Sequence, residues 1–349
     1  MDVKGRTRAA KSDKLTGTKA GREGVKVRAR IALIWLLALP LAPAAAQEDD
    51  KSYPSRAIHI VVPFPAGGPA DLVSRVIAQK MSESFGVPVV VDNRGGGNTI
   101  IGAQAVARAA PDGYTLLMAI DSTLVMNQFL YKSLPYDPFV DFVPITLTTQ
   151  TVSVLAVRAD GPKSVAELIA RAKANPGKLN FGGGTITAQL MGHLFHKAAG
   201  LDILYVPFKG TPETTQGLLG GSVDLAYVST VIAVPLIQGG QLRAIARLDH
   251  RELPALAGVP VLADAAGLKD FDDLAVWLGL VAPKGTPRAI VDKLNREVVH
   301  ILNDPAVKQK SESIGGYIHT STPEEFSAFM RKEAARWSAA LKELGIRYD

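Results

Sequence analysis

The sequence predicts an α/β protein made of two domains, each built around a largely parallel β-sheet. The first observation is that short runs rich in Val and Ile alternate with amphipathic helical segments from residue 53 onward. The second is that this alternation stops after residue 120 and starts again near residue 164. Strands that alternate with helices are typical of a sheet covered by helices on both faces.

The first domain begins with a strand–helix–strand–helix–strand series. Apolar residues at helical spacing, such as Leu72, Val76 and Ile77, predict the first helix. A turn at Pro111-Asp-Gly113 precedes the third strand. The predicted elements are strand 57–64, helix 69–85, strand 87–92, helix 98–110 and strand 114–120.

The second domain repeats the pattern at about the same size. It opens with a capping box, Ser164 to Glu167, in which each side chain satisfies a backbone amide of the helix start. The predicted elements are helix 165–174, strand 178–181, helix 187–199, strand 203–207, helix 213–219, strand 223–228, helix 232–238 and strand 242–248.

The C-terminal part returns to helices, which begin at Thr286-Pro287 and at the capping box Thr322 to Glu325. Two apolar segments without helical periodicity, 152–157 and 275–282, bracket the second domain. We interpret them as the two crossings of a hinge between a discontinuous first domain and an inserted second one. The predicted boundaries are 53–154 with 278–349 for the first domain and 155–277 for the second.

The N-terminus has the order of a secretory signal peptide. Residues 1–30 carry ten basic and three acidic side chains, the apolar run 31–39 follows, and small residues end at Ala46. A membrane anchor is the alternative, but spanning a bilayer takes about 20 apolar residues and Pro40 and Pro43 interrupt this run. The chain has no Cys, so no lipid anchor can follow cleavage. We expect export, cleavage near Ala46 and no stable membrane anchor.

Removal of the leader changes the charge of the protein. The whole chain carries +6 and has a pI near 9.3, whereas the 303 residues after Ala46 carry 29 basic and 30 acidic side chains. A length of this size predicts about two domains of roughly 150 residues. Because the mature protein is near neutral, the sequence no longer favours a nucleic-acid partner.

The sequence shows none of the common catalytic motifs. The mature chain lacks a Gly-x-Ser-x-Gly elbow, a Walker loop and a His-Glu-x-x-His pair. Gln189, His193 and His196 share one helical face and could hold a metal or relay a proton. Since that face has no Cys and no carboxylate, a solvated stripe is the favoured interpretation. We predict no catalytic residue, no metal site and no cofactor.

Two glycine-bearing loops are better candidates for a binding site. Residues 64–71 join the first strand to the first helix, where the amides of the helix start can receive an anion. A tight turn with Asp71 as a helix-start carboxylate is the alternative interpretation. Residues 181–187 form a similar loop in the second domain, with Thr185 and Thr187 as hydroxyl donors. Two such loops across one cleft would clamp a small carboxylate.

An ordered series of segments then resembles a known family over residues 53–349. The series comprises Tyr53-Pro-Ser-Arg56, Ile60-Val-Val-Pro-Phe-Pro-Ala-Gly-Gly68 with Asp71, Pro88-Val-Val-Val-Asp-Asn-Arg94, Ile101-Gly-Ala-Gln-Ala-Val-Ala107, Pro111-Asp-Gly-Tyr-Thr-Leu-Leu117, Leu134-Pro-Tyr-Asp-Pro138, Ala172-Lys-Ala-Asn-Pro-Gly-Lys-Leu179, Val206-Pro-Phe-Lys-Gly210, Leu219-Gly-Gly221 and Ala282-Pro-Lys-Gly-Thr-Pro287. In these segments the chain resembles the periplasmic solute-binding receptors of tripartite tricarboxylate transporters, the Bug receptors.

The resemblance implies a type II periplasmic-binding-protein fold, in which two α/β domains close on a small organic carboxylate and present it to a membrane permease. It implies a non-enzymatic, monomeric receptor whose ligand lies between the two glycine-bearing loops. The candidate ligand-binding residues are Phe64, Pro65, Ala66, Gly67, Gly68, Asp71, Asp121, Ser122, Gly183, Gly184, Thr185, Thr187, Gln189, Phe208, Val228 and Ser229. A signalling role, in which the loaded receptor docks on a sensor kinase, stays open beside transport.

The chain departs from the family pattern at two places. Gln189 stands where the family commonly has His, and Tyr227-Val228 stands where Phe-Asp is frequent. Because a buried ammonium group needs an acidic partner, the missing Asp argues against a ligand amino group at this position. We therefore expect a carboxylate without an amino group there.

Overall fold

The computed structural model describes residues 52–251, 253–268, 275–345 and 347. The predicted signal peptide, residues 1–46, lies outside the described residues. The strands are β1 Ile58–Val62, β2 Val89–Asn93, β3 Thr115–Ile120, β4 Phe142–Thr151, β5 Ser153–Arg158, β6 Asn180–Gly183, β7 Leu204–Pro207, β8 Leu225–Ser229, β9 Leu242–Arg247, β10 Val276–Pro283 and β11 Gly316–Ile318.

Helices cover both sheets that these strands form. They are α1 Pro69–Phe85, α2 Ile100–Ala107, α3 Asn127–Leu130, α4 Val165–Ala174, α5 Ile186–Ala198, α6 Thr211–Leu219, α7 Thr230–Gln238, α8 Leu262–Ala266, α9 Arg288–Leu302, α10 Pro305–Ser313 and α11 Pro323–Leu344. A π-helical turn spans Ser122–Met126 and a 3-10 turn spans Pro254–Leu256. The predicted α/β class with two sheets is confirmed.

The first sheet has the strand order β11-β4-β10-β3-β1-β2. Strand β1 pairs in parallel with β2 and β3, whereas β10 pairs antiparallel with β3 and β4, and β11 antiparallel with β4. The sheet is therefore mixed, not largely parallel as predicted. The antiparallel half comes from strands far apart in sequence, which periodicity within a short window does not reveal.

The second sheet has the order β7-β6-β8-β5-β9. Strand β6 pairs in parallel with β7 and β8, and β5 pairs antiparallel with β8 and β9. Only Val152 separates β4 of the first sheet from β5 of the second. The backbone carbonyl of this buried residue accepts hydrogen bonds from the amide and the hydroxyl of Thr230. The predicted domain boundaries stay a prediction.

Of the two predicted capping boxes, the one from Thr322 to Glu325 is complete in the structure. The one from Ser164 to Glu167 is only half formed, because Oε2 of Glu167 accepts a hydrogen bond from the Lys163 amide and not from the Ser164 amide. The Ser164 hydroxyl accepts a hydrogen bond from the Glu167 amide at the start of α4, and Thr322 does the same for Glu325 at the start of α11. Thr185 caps α5 through the amide of Ala188. Local chemistry therefore sets where these three helices begin.

Each sheet buries apolar side chains on both faces. On the first sheet, α1 and α9 cover one face and α11 covers the other. Trp277 of β10 meets Phe326 of α11 edge to face, with ring centroids 5.8 Å apart. The Phe326 ring occupies the space over Gly279, where a Cβ atom would lie 2.1 Å from the ring. Close packing of β10 against α11 therefore requires glycine at this position.

We predict that Gly279→Ala lowers the free energy of unfolding by about 1–3 kcal/mol, because the added methyl group forces Phe326 out of its place. Urea denaturation followed by circular dichroism measures this loss. Gly95→Ala is the matched control, since its Cβ would make only ordinary contacts at 3.5 Å. We expect the control to stay within about 0.5 kcal/mol of wild type. Equal stability of the two variants would contradict the packing argument.

Candidate ligand-binding site

A small cavity of about 50 Å³ lies between the two sheets and is lined by residues of both. Four of the lining residues are the N-caps of four helices: Gly68 of α1, Thr185 of α5, Gly210 of α6 and Ser229 of α7. These helices follow β1, β6, β7 and β8 in the chain. The cavity therefore sits at the carboxyl ends of strands from both sheets, where α/β proteins bind ligands.

The walls of this cavity carry no Asp, Glu, His, Lys or Arg within the described part of the chain. They consist of small, apolar and hydroxyl residues, together with Tyr227, whose phenol stays neutral because burial raises its pKa. The first amides of a helix have no partner inside the helix, and the helix dipole adds partial positive charge at that end. Four helix starts around one uncharged cavity therefore favour a small anion over a cation.

Ser229 contributes a hydroxyl group without a partner. Its side chain is 8% exposed, lies at the cavity, and its Oγ atom has no hydrogen-bond partner in the structure. A buried polar group without a partner is uncommon in proteins. The Ser229 hydroxyl is therefore available to a bound molecule.

Loops of the two sheets touch beside the cavity. Within the second sheet, a Cβ atom on Gly184 would lie 2.2 Å from the carbonyl carbon of Gly210. Between the sheets, a Cβ atom on Gly210 would lie 3.3 Å from the ring of Pro65. Gly68 similarly faces the ring of Pro212. Larger side chains at these three positions would push the loops apart. The glycines therefore allow the cleft to be narrow.

Asp71 supports its loop from behind the cavity. Its Oδ2 atom accepts hydrogen bonds from the Gly67 amide and from Nε of Arg75, both at 2.9 Å. Burial acts to raise the pKa of Asp71, but the hydrogen bonds from Arg75 and Gly67 outweigh it and lower the pKa. This geometry corresponds to the alternative interpretation of Asp71 as a helix-start carboxylate.

Six of the sixteen candidate residues line the cavity and ten do not. Those that line it are Phe64, Pro65, Gly68, Gly184, Thr185 and Ser229. Those that lie elsewhere are Ala66, Gly67, Asp71, Asp121, Ser122, Gly183, Thr187, Gln189, Phe208 and Val228. Val228 belongs to the buried cluster on the opposite face of β8, and Phe208 packs over Gly182 and Gly217.

Sequence reasoning missed several lining residues. Gly210 and Pro212 start α6 directly after β7, so the loop rule applied to the other two loops would have found them. Thr151, Ser153, Val276 and Leu278 lie on β4, β5 and β10 and also line the cavity. Ser153, Val276 and Leu278 fall within the two segments interpreted as hinge crossings, 152–157 and 275–282. The local pattern does not mark them as cavity-lining residues, because that position depends on strand pairing between distant parts of the chain.

Asp121 and Thr187 contact each other, one from each half of the molecule. The Thr187 hydroxyl donates to Oδ1 of Asp121 at 2.9 Å, and the Ser122 amide donates to the same oxygen. Both side chains have no exposed surface. Burial raises the pKa of Asp121 to about 7, against the lowering effect of these two hydrogen bonds.

The histidine face of α5 differs from the sequence interpretation. A solvated stripe is wrong for His196, which is 4% exposed and packs edge to face on Phe181 with ring centroids 4.7 Å apart. Its Nε2 atom lies 3.4 Å from the Tyr227 hydroxyl. Burial lowers the pKa of His196 to about 3, with a smaller contribution from His193. No group of three potential metal ligands occurs among the residues that the structure describes.

Comparison with known proteins identifies relatives along most of the chain. Residues 73–346 match the family model described as Tripartite tricarboxylate transporter family receptor. The chain is 39% identical over 312 residues to the UPF0065 protein in the tcbD-tcbE intergenic region of Pseudomonas sp. (strain P51), covering 88% of this chain and 91% of that protein. It is 34% identical to Protein BugT of Bordetella pertussis, covering 88% and 94%.

Two solved structures with bound carboxylates share the fold. A Rhodopseudomonas palustris protein solved with adipate is 32% identical, with a TM-score of 0.81 and coverage of 84% of this chain and 99% of that chain. MatC from Rhodopseudomonas palustris, solved with malate, is 31% identical, with a TM-score of 0.77 and coverage of 83% and 100%. No helix within the described ranges is long and apolar enough to cross a bilayer.

We predict that His196 stays neutral from pH 8 to pH 5, because burial removes the water that would stabilise a charged imidazolium ring. Ring resonances in NMR spectra, assigned by their loss in His196→Gln, follow its protonation. The pKa of His196 is lower in the folded protein than in the unfolded chain, where a histidine takes up a proton below about pH 6.5. Because only the unfolded chain gains this proton, His196 lowers the free energy of unfolding as pH falls below that value. A titration midpoint above pH 5 would contradict the buried environment.

Proposed function

The chain belongs to the tripartite tricarboxylate transporter receptor family, and on that premise we propose that it captures a small organic carboxylate in the periplasm and delivers it to a membrane permease. The observation that carries the proposal is the convergence of four helix starts on one uncharged cavity between two sheets. Relatives of the same fold have been solved with adipate and with malate, which supports a carboxylate as the ligand class.

In this proposal the ligand carboxylate accepts hydrogen bonds from amides of the helix starts. The loops ending at Gly68, Thr185 and Gly210 supply these amides, and Ser229 adds its hydroxyl. Binding by amides needs no charged side chain, which agrees with the neutral walls. The residues act by binding and closing on the ligand and perform no covalent chemistry.

The neutral walls also bear on which carboxylates can bind. An ammonium group removed from water requires an acidic partner, and no acidic side chain is among the cavity-lining residues that the structure describes. We therefore propose a carboxylate without an amino group in the cavity, such as a dicarboxylate.

Export through a leader cleaved near Ala46 would place the monomeric receptor in the periplasm.

We predict that at least one member of a panel of dicarboxylates, tricarboxylates and aromatic carboxylates raises the melting temperature of residues 47–349. A ligand at 100 times its dissociation constant adds about 2.7 kcal/mol to stability. Because no charged wall attracts the ligand, calorimetric affinity should change little between low and high salt. Failure of the whole panel, or tighter binding of aspartate than of succinate, would contradict the proposed ligand class.

We predict that Ser229→Ala weakens binding of the panel's best ligand about tenfold, because one hydrogen bond to a carboxylate is lost. Since Ser229 Oγ has no hydrogen-bond partner among the residues that the structure describes, the free energy of unfolding without ligand should stay within about 0.5 kcal/mol of wild type. Ser222→Ala, at an exposed position, is the matched control and should bind as wild type does. Unchanged affinity in Ser229→Ala would remove this hydroxyl from the site.

A further inference from the structure

Asp121 and Thr187 connect the two halves of the molecule directly behind the cavity. Asp121 follows Ile120, which lines the cavity from β3, and Thr187 lies two residues after Thr185, which lines it from α5. Their hydrogen bond joins positions 66 residues apart in the chain. The same two segments that form opposite walls of the cavity are therefore joined just outside it.

Apolar packing surrounds this hydrogen bond. Ile186 and Leu190 of α5 belong to the same buried cluster as Leu124, Val125 and Met126 of the π-helical turn. The sulfur of Met126 lies 3.9 Å from the Thr187 hydroxyl. The first turn of α5 is thus inserted into the core of the first-sheet half, where water is excluded.

The carboxyl group of Asp121 is incompletely satisfied in this position. Oδ1 accepts two hydrogen bonds, whereas Oδ2 is buried and has no partner. The charged groups that act on Asp121 are Glu333 and Arg336 of α11, which have opposite effects and pair with each other at 3.2 Å. A charged carboxylate with one bare oxygen is disfavoured in such surroundings, whereas a neutral acid with its proton on Oδ2 is tolerated.

We propose that Asp121 and Thr187 are positioning residues that form a proton-dependent latch, which holds the first turn of α5 against the first-sheet half and keeps the cavity closed. The latch rests on the proposed function, because it acts on the same cavity. The proposed latch gives Asp121 and Thr187 a role in closure, whereas the family resemblance implies that both residues contact the ligand.

The direction of the pH effect follows from the two states. In the closed state the pKa of Asp121 is about 7, whereas an Asp exposed by opening has a pKa near 3.9. Closure therefore takes up a proton between these values, and the closed state is favoured as pH falls from about 7 to about 4. Between pH 7.5 and pH 5.5 the ratio of closed to open molecules should rise roughly 20-fold.

Single-molecule energy transfer tests the latch without any ligand. The chain has no Cys, so Gln79→Cys on α1 and Gln216→Cys on α6 introduce the dye positions at exposed sites on the two halves. We expect a larger closed fraction at pH 5.5 than at pH 7.5. Asp121→Asn should be closed to the same extent at both pH values, because the amide is neutral and its Oδ1 still accepts from Thr187.

Variants of Thr187 test the hydrogen bond itself. Thr187→Val removes the hydroxyl at constant volume and should lower the ratio of closed to open molecules about fivefold at pH 5.5, whereas Thr187→Ser should restore it. Circular dichroism at both pH values checks that each variant is folded. Identical distributions at both pH values in wild type, or a pH response that persists in Asp121→Asn, would overturn the latch. Neither result bears on ligand binding, which the melting panel tests separately.

Discussion

Four helices begin at one cavity, and the amides at their starts impose a constraint that the surrounding structure follows. Gly68 and Gly210 make no side-chain cap hydrogen bond, so the amides in the first turns of α1 and α6 depend on other partners. The first amide of α7, on Thr230, already donates to the Val152 carbonyl. Buried amides are rarely left unsatisfied. A cavity with this lining is therefore suited to an acceptor-rich molecule, and the close approach of Gly210 to Pro65 and of Gly68 to Pro212 brings both halves near it.

Two acidic side chains near the cleft have their charges compensated by partners that lie outside the cavity. Asp71 is held by Arg75 and the Gly67 amide, and Glu333 of α11 accepts from Trp277 and pairs with Arg336. In the proposed ligand site, selection would therefore rest on amide and hydroxyl geometry and not on opposite charge. Asp121 differs because its hydrogen-bond partners in the described part of the chain are the Ser122 amide and the Thr187 hydroxyl, neither of which is charged. In the proposed latch, the burial of Asp121 links closure of the cleft to its protonation, so the proposed ligand site and the proposed pH-responsive contact are adjacent but separate.

Periodic and capped elements were predictable, whereas pairing between distant strands was not. The helix starts at Ser164 and Thr322 and the first three strands follow local rules of capping and alternation. Strand β4, Phe142–Thr151, was not predicted, and its pairing with β10 makes the first sheet mixed. The sequence predicts a solvated stripe at His196, because a helical face has the same residue pattern whether water or the Phe181 ring covers it.

The sequence by itself determined the α/β class, the two sheets, the family and the two glycine-bearing loops, because each depends on residues close together in the chain. Only the tertiary structure decided which candidates face the cavity. Thr151 and Ser153 reach it from the point where the chain passes from β4 of the first sheet to β5 of the second, and Val276 and Leu278 reach it from β10 of the first sheet. Asp121 meets Thr187 between the two halves. The physical reason is that lining a cavity depends on strand pairing and packing between segments distant in sequence, which local spacing does not encode.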